Sequence, residues 1–226
     1  MPEHHLPHEV LVEYAAGASD PGHALIVACH LTLCPVCRQE VAELEMLGGA
    51  LVGTMDESAP ASPEPDVEAL IRATLGAAAT NAPAGDEPPS PIVVPDDPVF
   101  PRPLVQAIGT LDSLKWRTPY PGVDVFEFDL PGAETNLRMT RVKPGYGVPI
   151  HTHEGLEMDL VLAGGLHDQT RDREFERGDI QSADPEVTHE LKVLPGEPCI
   201  VLTSNLGGIK PVGLKSRMAY RWLGWT

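Results

Sequence analysis

Residues 81–103 carry eight prolines. Proline lacks the N–H that a helix interior or a sheet ladder requires, so no regular element can run through this stretch. The sequence therefore predicts a stiff, extended linker dividing the chain into residues 1–80 and 104–226. A chain of 226 residues is long enough for two modest domains.

Before the division the apolar spacing is helical. Val10, Leu11 and Tyr14 share one face. Leu25, Ile26, Cys29, His30 and Leu33 keep the same period after Ser19-Asp20-Pro21, a helix start signal. A third helix is expected from Cys34-Pro35, carrying Val41, Leu44 and Leu47 toward Gly48-Gly49. Val67, Leu70, Ile71 and Leu75, opened by Pro65-Asp66, predict a fourth. Residues 1–80 thus read as a small all-α unit. After the division come short β-rich runs separated by Gly and Pro: Val123 to Leu130, Asn136 to Val142, Glu157 to Leu162, His189 to Leu194 and Ile200 to Ser204. Such runs predict an all-β barrel or double-sheet jelly roll.

Charge narrows the partners. Residues 1–103 hold 16 acids against three bases, whereas residues 104–226 hold 17 against 13. Phosphate binding needs clustered Lys and Arg, so direct nucleic-acid binding by the first half is not expected, and a basic protein surface fits better. Solubility alone is the competing reason for the acidity. No apolar run approaches the length of a membrane span, and Met1-Pro2-Glu3-His4-His5-Leu6 lacks a secretory leader's pattern. The expected address is cytoplasmic, where close thiols serve as metal or redox ligands more often than as disulfides.

Two ligand clusters carry the chemistry. His30, Cys34 and Cys37 stand in the spacing His-x3-Cys-x2-Cys, which puts one imidazole at the end of a helix and two thiolates around the first turn of the next. Thiolate with imidazole favours Zn²⁺, and its four-coordination calls for one more ligand. His4, His5 and His8 lie just before the first helix and are the candidates. A closed site of this kind is structural, and it would contribute much of the folding free energy of a unit with a thin core. Cys29 falls on another part of the helix and reads as a small core residue.

In the second half the chain reads Gly145-x5-His151-x-His153-x3-Glu157-x6-Gly164, followed by Gly178 to His189. Alternate residues of a strand share a face, so His151 and His153 both point into the barrel, with Glu157 entering from the next strand and His189 completing the set. Three imidazoles and a carboxylate suit Zn²⁺, Fe²⁺, Mn²⁺ or Ni²⁺. Arg138, Arg141 and Lys143 could hold an anion, although a solvated strand edge explains them equally well. His167 reads as a surface histidine.

His30-Leu-Thr-Leu-Cys34-Pro-Val-Cys37, with Tyr14-Ala15-Ala16-Gly17 upstream, resembles the zinc-binding anti-sigma domain of bacterial regulators of extracytoplasmic-function sigma factors. In that family an N-terminal histidine is the fourth ligand, and alignment on Tyr14 to Gly17 implies His5, with His4 and His8 as alternatives. The second half resembles the cupin family: the first motif matches at every defining position. The second departs, since Asp184, Glu186 and Val193 stand where proline, glycine and asparagine are usual. The two halves together resemble ChrR-type anti-sigma factors. The resemblance implies a helical domain that clamps a sigma factor and a cupin barrel, the double-stranded β-helix, needed for the response to singlet oxygen or a related oxidant. A metal-dependent cupin enzyme, of dioxygenase or isomerase type with a docking domain in front, is the alternative.

Overall fold

The computed structural model describes residues 1–54 and 94–223. The expected fourth helix, around Val67 to Leu75, lies outside them. Helices α1 (His8–Ala15), α2 (Pro21–Leu33) and α3 (Pro35–Gly53) open the chain. Asp20 caps α2, its carboxylate accepting from Gly22 N at 2.8 Å, and Pro21 supplies a helix-ready φ at the first position. Pro35 ends the same helix, because the residue before a proline is pushed out of the helical region. Cys34 is accordingly extended (φ −110°, ψ 105°), and α3 leaves at a bend of 118°. One dipeptide thus makes the corner on which the first ligand cluster sits. The third helix passes the Gly48-Gly49 stop expected from sequence: each glycine costs a helix interior only about 1 kcal/mol relative to alanine, too little to end it.

The described end of the proline-rich stretch corrects the extended reading. Helix α4 (Arg102–Ile108) begins inside it, since prolines are tolerated in the first turn of a helix. Phe100, Leu104 and Val105 are buried. Asp97 fixes the approach by accepting from the backbone N–H of Val99, Phe100 and Leu111, each at 2.8 Å.

Among the described residues eleven strands follow: β1 (Arg117–Tyr120), β2 (Val123–Phe128), β3 (Thr135–Val142), β4 (Gly147–His153), β5 (Glu157–Ala163), β6 (Gly165–Asp168), β7 (Arg173–Glu176), β8 (Ile180–Ala183), β9 (His189–Val193), β10 (Cys199–Leu206) and β11 (Ile209–Pro211). They form two antiparallel sheets, ordered β1-β2-β3-β10-β5-β8 and β11-β4-β9-β6-β7. This is the expected double-sheet barrel. A helix absent from the sequence reading, α5 (Gly213–Leu223), closes the chain.

The strands β5 and β10 are buried almost throughout, because the sheet is covered on both faces. Val161 and Val201 point inward to Leu166, Leu191 and Val193 of the opposite sheet. Leu160 and Leu202, one position away, point outward and pack with Ile26, Val27 and Cys29 of α2 and Leu104 of α4. Helix α2 is apolar nearly all round, as a helix enclosed on several sides must be. Helices and barrel therefore share one hydrophobic core. Among the described residues no single helix is long and apolar enough to cross a membrane.

Candidate metal centres

The corner between α2 and α3 brings His5, His30, Cys34 and Cys37 together, with one ligand atom from each within 4.8 Å of the others. His30 Nε2 lies 3.3 Å from Cys37 Sγ, and His5 Nδ1 lies 3.3 Å from Cys34 Sγ. A tetrahedral zinc site with ordinary bond lengths has sulfur–nitrogen edges of about 3.6 Å, so these four residues fit a zinc ion with small adjustment. His30, Cys34 and Cys37 are buried, and His5 is exposed. Burial pushes the Cys37 thiol up to about 11, reinforced by the neighbouring Cys34, and drives His30 down to about 4. A thiolate in such a place needs a cation beside it.

The other two N-terminal histidines are engaged elsewhere. His4 Nε2 bonds the Glu174 carbonyl at 2.9 Å and its ring packs against Phe175. His8 Nδ1 meets Glu40 at 2.6 Å. Cys29 is buried among apolar side chains of the core, and burial pushes its thiol up to about 12.

Inside the barrel, His151 and His153 from β4, Glu157 opening β5 and His189 opening β9 also converge within 4.8 Å. His189 Nε2 is 2.9 Å from His151 Nε2 and 3.2 Å from His153 Nε2. Glu157 Oε2 stands 2.9 Å from His153 Nε2 and 3.6 Å from the other two. Three ring nitrogens aimed at one another beside a carboxylate, all at least 98 % buried, form a site that a cation satisfies.

The surroundings set each ligand's direction. His151 Nδ1 faces the Pro149 carbonyl at 2.9 Å, which leaves Nε2 for the centre. Glu157 Oε1 is held by Asn205 at 3.0 Å and Arg138 at 3.4 Å, so that Oε2 points inward. Burial pushes the Glu157 carboxyl up, but the three imidazoles and the Arg138 charge outweigh it and hold the group well below its ordinary range. Asp159, one turn of the pleat along, is pushed up to about 6 by burial and by the Glu157 charge.

Beside these ligands lies a cavity of about 20 Å³, reached by Arg138, Thr203 and Asp159. That is room for roughly one water molecule. Tyr220 of α5 closes the barrel end over His151, with ring centroids 5.6 Å apart and its hydroxyl donating to the Pro149 carbonyl at 3.2 Å.

The turn before His189 uses its own chemistry in place of the family's proline and glycine. Asp184 Oδ1 accepts from Glu186 N and Val187 N at 2.8 and 3.2 Å, and Thr152 donates to the Pro185 and Val187 carbonyls. The edge-strand and anion readings are corrected for Arg138 and Arg141. β3 lies between β2 and β10, Arg138 is paired with Glu157, and Arg141 makes two bonds to Asp124 at 2.8 and 3.0 Å while stacking over Trp116. His167 bonds Asp172 on the surface side, away from the metal cluster. Asn205, Gln181 and Tyr220 carry no local signal, since each reaches its partner across the fold.

The family described as the ChrR cupin-like domain matches residues 105–207. Over 204 residues the chain is 36% identical to the anti-sigma-E factor ChrR of Cereibacter sphaeroides, covering 89% of each protein. The crystal structure of Rhodobacter sphaeroides SigE in complex with the anti-sigma ChrR contains a chain that superposes with a TM-score of 0.71 at 32% identity, over 91% of this chain and 99% of that one.

Proposed function

The chain belongs to the family of the anti-sigma factor ChrR, and from that premise we propose that it sequesters an extracytoplasmic-function sigma factor and releases it in response to an oxidant. The observation that carries the reading is the superposition on a relative crystallised with its sigma factor, which takes in helices and barrel alike. On this reading residues 1–80 capture the partner, residues 81–103 join the parts and residues 104–226 form the responding barrel. The protein is a cytoplasmic regulator and touches neither DNA nor membrane directly.

Zn²⁺ held by His5, His30, Cys34 and Cys37 would cross-link the amino terminus, α2 and α3, fixing the corner that Cys34-Pro35 begins. The sigma-binding face then exists only while that corner is held. On α1 and α3 the acidic side chains Glu9, Glu13, Glu40, Glu43 and Glu45 outnumber the single base, Arg38. Sigma factors present basic surfaces to DNA, and an acidic competitor can occupy them.

His151, His153, Glu157 and His189 would hold a divalent ion in the barrel, Zn²⁺ in the first instance, with iron, manganese or nickel compatible with the same donors. Oxidation of Cys34 and Cys37, or a change at the barrel site, then loosens the helical corner and frees the partner.

The test is co-expression of the full chain with the extracytoplasmic-function sigma factors of the same genome. A stable complex is expected with at least one, lost together with one zinc equivalent in Cys34→Ser/Cys37→Ser. Tight binding by the zinc-free variant would remove the zinc part of the reading, and indifference to every sigma factor would remove all of it.

A further inference from the structure

Four consecutive residues touch both ligand clusters. The Gly178 carbonyl accepts from His30 Nδ1 at 2.9 Å. Asp179 Oδ1 accepts from the backbone N–H of Glu3 and His4 at 2.6 and 3.0 Å, immediately before His5. Ile180 N donates to the His4 carbonyl at 3.4 Å. The Gln181 side chain meets Nδ1 of His189 at 2.8 Å. Two ligands of the helical cluster are thus set from one end of this segment and one ligand of the barrel cluster from the other.

The segment has little freedom. Gly178 adopts φ +94°, and a Cβ there would come within 2.8 Å of Pro2 Cγ. Asp179 is buried, and its second oxygen accepts from Glu176 N at 2.8 Å. From Ile180 onward the chain is zipped to β5, with Gln181 opposite Asp159 and Ala183 opposite Glu157.

We propose that residues 178–181 couple the two metal sites, so that an ion at His151, His153, Glu157 and His189 tightens metal binding at His5, His30, Cys34 and Cys37. By linkage the reverse effect has the same size. The inference rests on the reading that both clusters bind metal. At the barrel end the device is one hydrogen bond with two polarities. Gln181 Nε2 faces His189 Nδ1, so the amide donates to an unprotonated ring nitrogen, and Gln181 Oε1 is buried with no hydrogen-bond partner among the described residues. An ion on His189 Nε2 places the ring proton on Nδ1, which then requires an acceptor. The Asp168 carboxylate also faces Nδ1, but its Oδ2 is 3.9 Å away and already accepts from Arg171 Nε at 2.6 Å, so the nearer amide turns to present Oε1, and its 3.4 Å contact with Asp159 Oδ2 changes with it. At the helical end the Gly178 carbonyl keeps the His30 proton on Nδ1 and Nε2 toward sulfur. Gln181 and Gly178 are positioning residues, acting through the histidines they orient.

Co²⁺ bound by thiolates gives a sulfur-to-metal charge-transfer band that the sulfur-free barrel set cannot produce. Its affinity for the helical site is measured by chelator competition in the full chain, in His151→Ala/His153→Ala, which leaves His189 and Gln181 in place, and in Gln181→Met. We expect the barrel-empty variant to bind Co²⁺ at the thiolates at least ~5-fold more weakly than wild type, within the usual range of coupling between sites. Gln181→Met should load both sites yet show the weaker thiolate affinity. Near-UV circular dichroism verifies the barrel in each variant, and Mn²⁺ resonance spectra of Cys34→Ser/Cys37→Ser read the reciprocal effect. Equal thiolate affinity in wild type and a folded barrel-empty variant overturns the coupling alone. Absence of the charge-transfer band from wild type overturns the metal reading, and the coupling with it.

Discussion

Asp20 accepts a 2.6 Å hydrogen bond from the Thr135 hydroxyl with the same oxygen that caps helix α2. Its other oxygen accepts from Glu134 N at 2.6 Å. One carboxylate therefore starts the helix that bears His30 and fastens it to strand β3. Burial pushes this carboxyl up, but the bonds from Thr135, Glu134 and Gly22 outweigh it and hold the group below its ordinary value.

A depressed folded-state value means stability that is present in full above the unfolded carboxylate range, near pH 4, and lost as pH falls through the folded value. Urea unfolding of the wild type should therefore show an acid loss that is shallower in Asp20→Asn, which keeps a capping oxygen but cannot titrate. At pH 7, Asp20→Ala should cost about 1–2 kcal/mol, the range for a lost cap. Equal acid slopes for wild type and Asp20→Asn would count against the assignment.

Gly22→Ala should destabilise the protein, reversing the usual gain of about 1 kcal/mol for replacing glycine inside a helix. A Cβ at this position overlaps the Thr135 hydroxyl and comes within 3.2 Å of both Leu137 methyl groups. The expected net loss is about 1–3 kcal/mol by overpacking, read as a lower urea midpoint. Gly22→Ala/Thr135→Ser should not relieve it, because the hydroxyl remains; Gly22→Ala/Thr135→Ala should recover part.

Tyr220 seals the barrel over His151, and burial drives its phenol far above the ordinary range. Tyr220→Phe keeps the ring and loses one hydrogen bond, a cost of about 1 kcal/mol. Tyr220→Ala removes the seal, at about 3–5 kcal/mol. Extraction of the barrel ion by a chelator should accelerate at least ~10-fold in Tyr220→Ala and little in Tyr220→Phe, following the opening of the site rather than stability. Identical extraction rates in the two variants would show that the ion leaves by another route.

Full repression with lost release is the expected phenotype of His151→Ala/His153→Ala/Glu157→Gln, provided the sensor is the barrel. Promoter activity with and without oxidant separates this from thiolate sensing, which predicts normal release in the same variant.

What was legible in the sequence is what adjacent residues enforce. Asp20-Pro21 and Cys34-Pro35 start and stop helices by local sterics, and the intervals within His30-x3-Cys34-x2-Cys37 and His151-x-His153-x3-Glu157 translate directly into shared faces. Alignment on Tyr14 to Gly17 already implies His5 rather than His4 or His8, and the fold adds a physical reason: Asp179 holds the backbone before His5, while His4 bonds the Glu174 carbonyl and His8 meets Glu40. Helix α5 went unread because it is amphipathic only with respect to a barrel end that the sequence does not locate. The start of α4 inside the proline-rich stretch shows the limit of proline as a boundary mark: two of those prolines flank the start of a helix.

Ile26 and Val27 from the amino-terminal half and Leu160 and Leu202 from the other share a single interior. A nick between the halves would leave a raw, adhesive face on each fragment, the sort of surface that quality-control proteases remove. Neither half, taken alone, carries a wholly polar exterior.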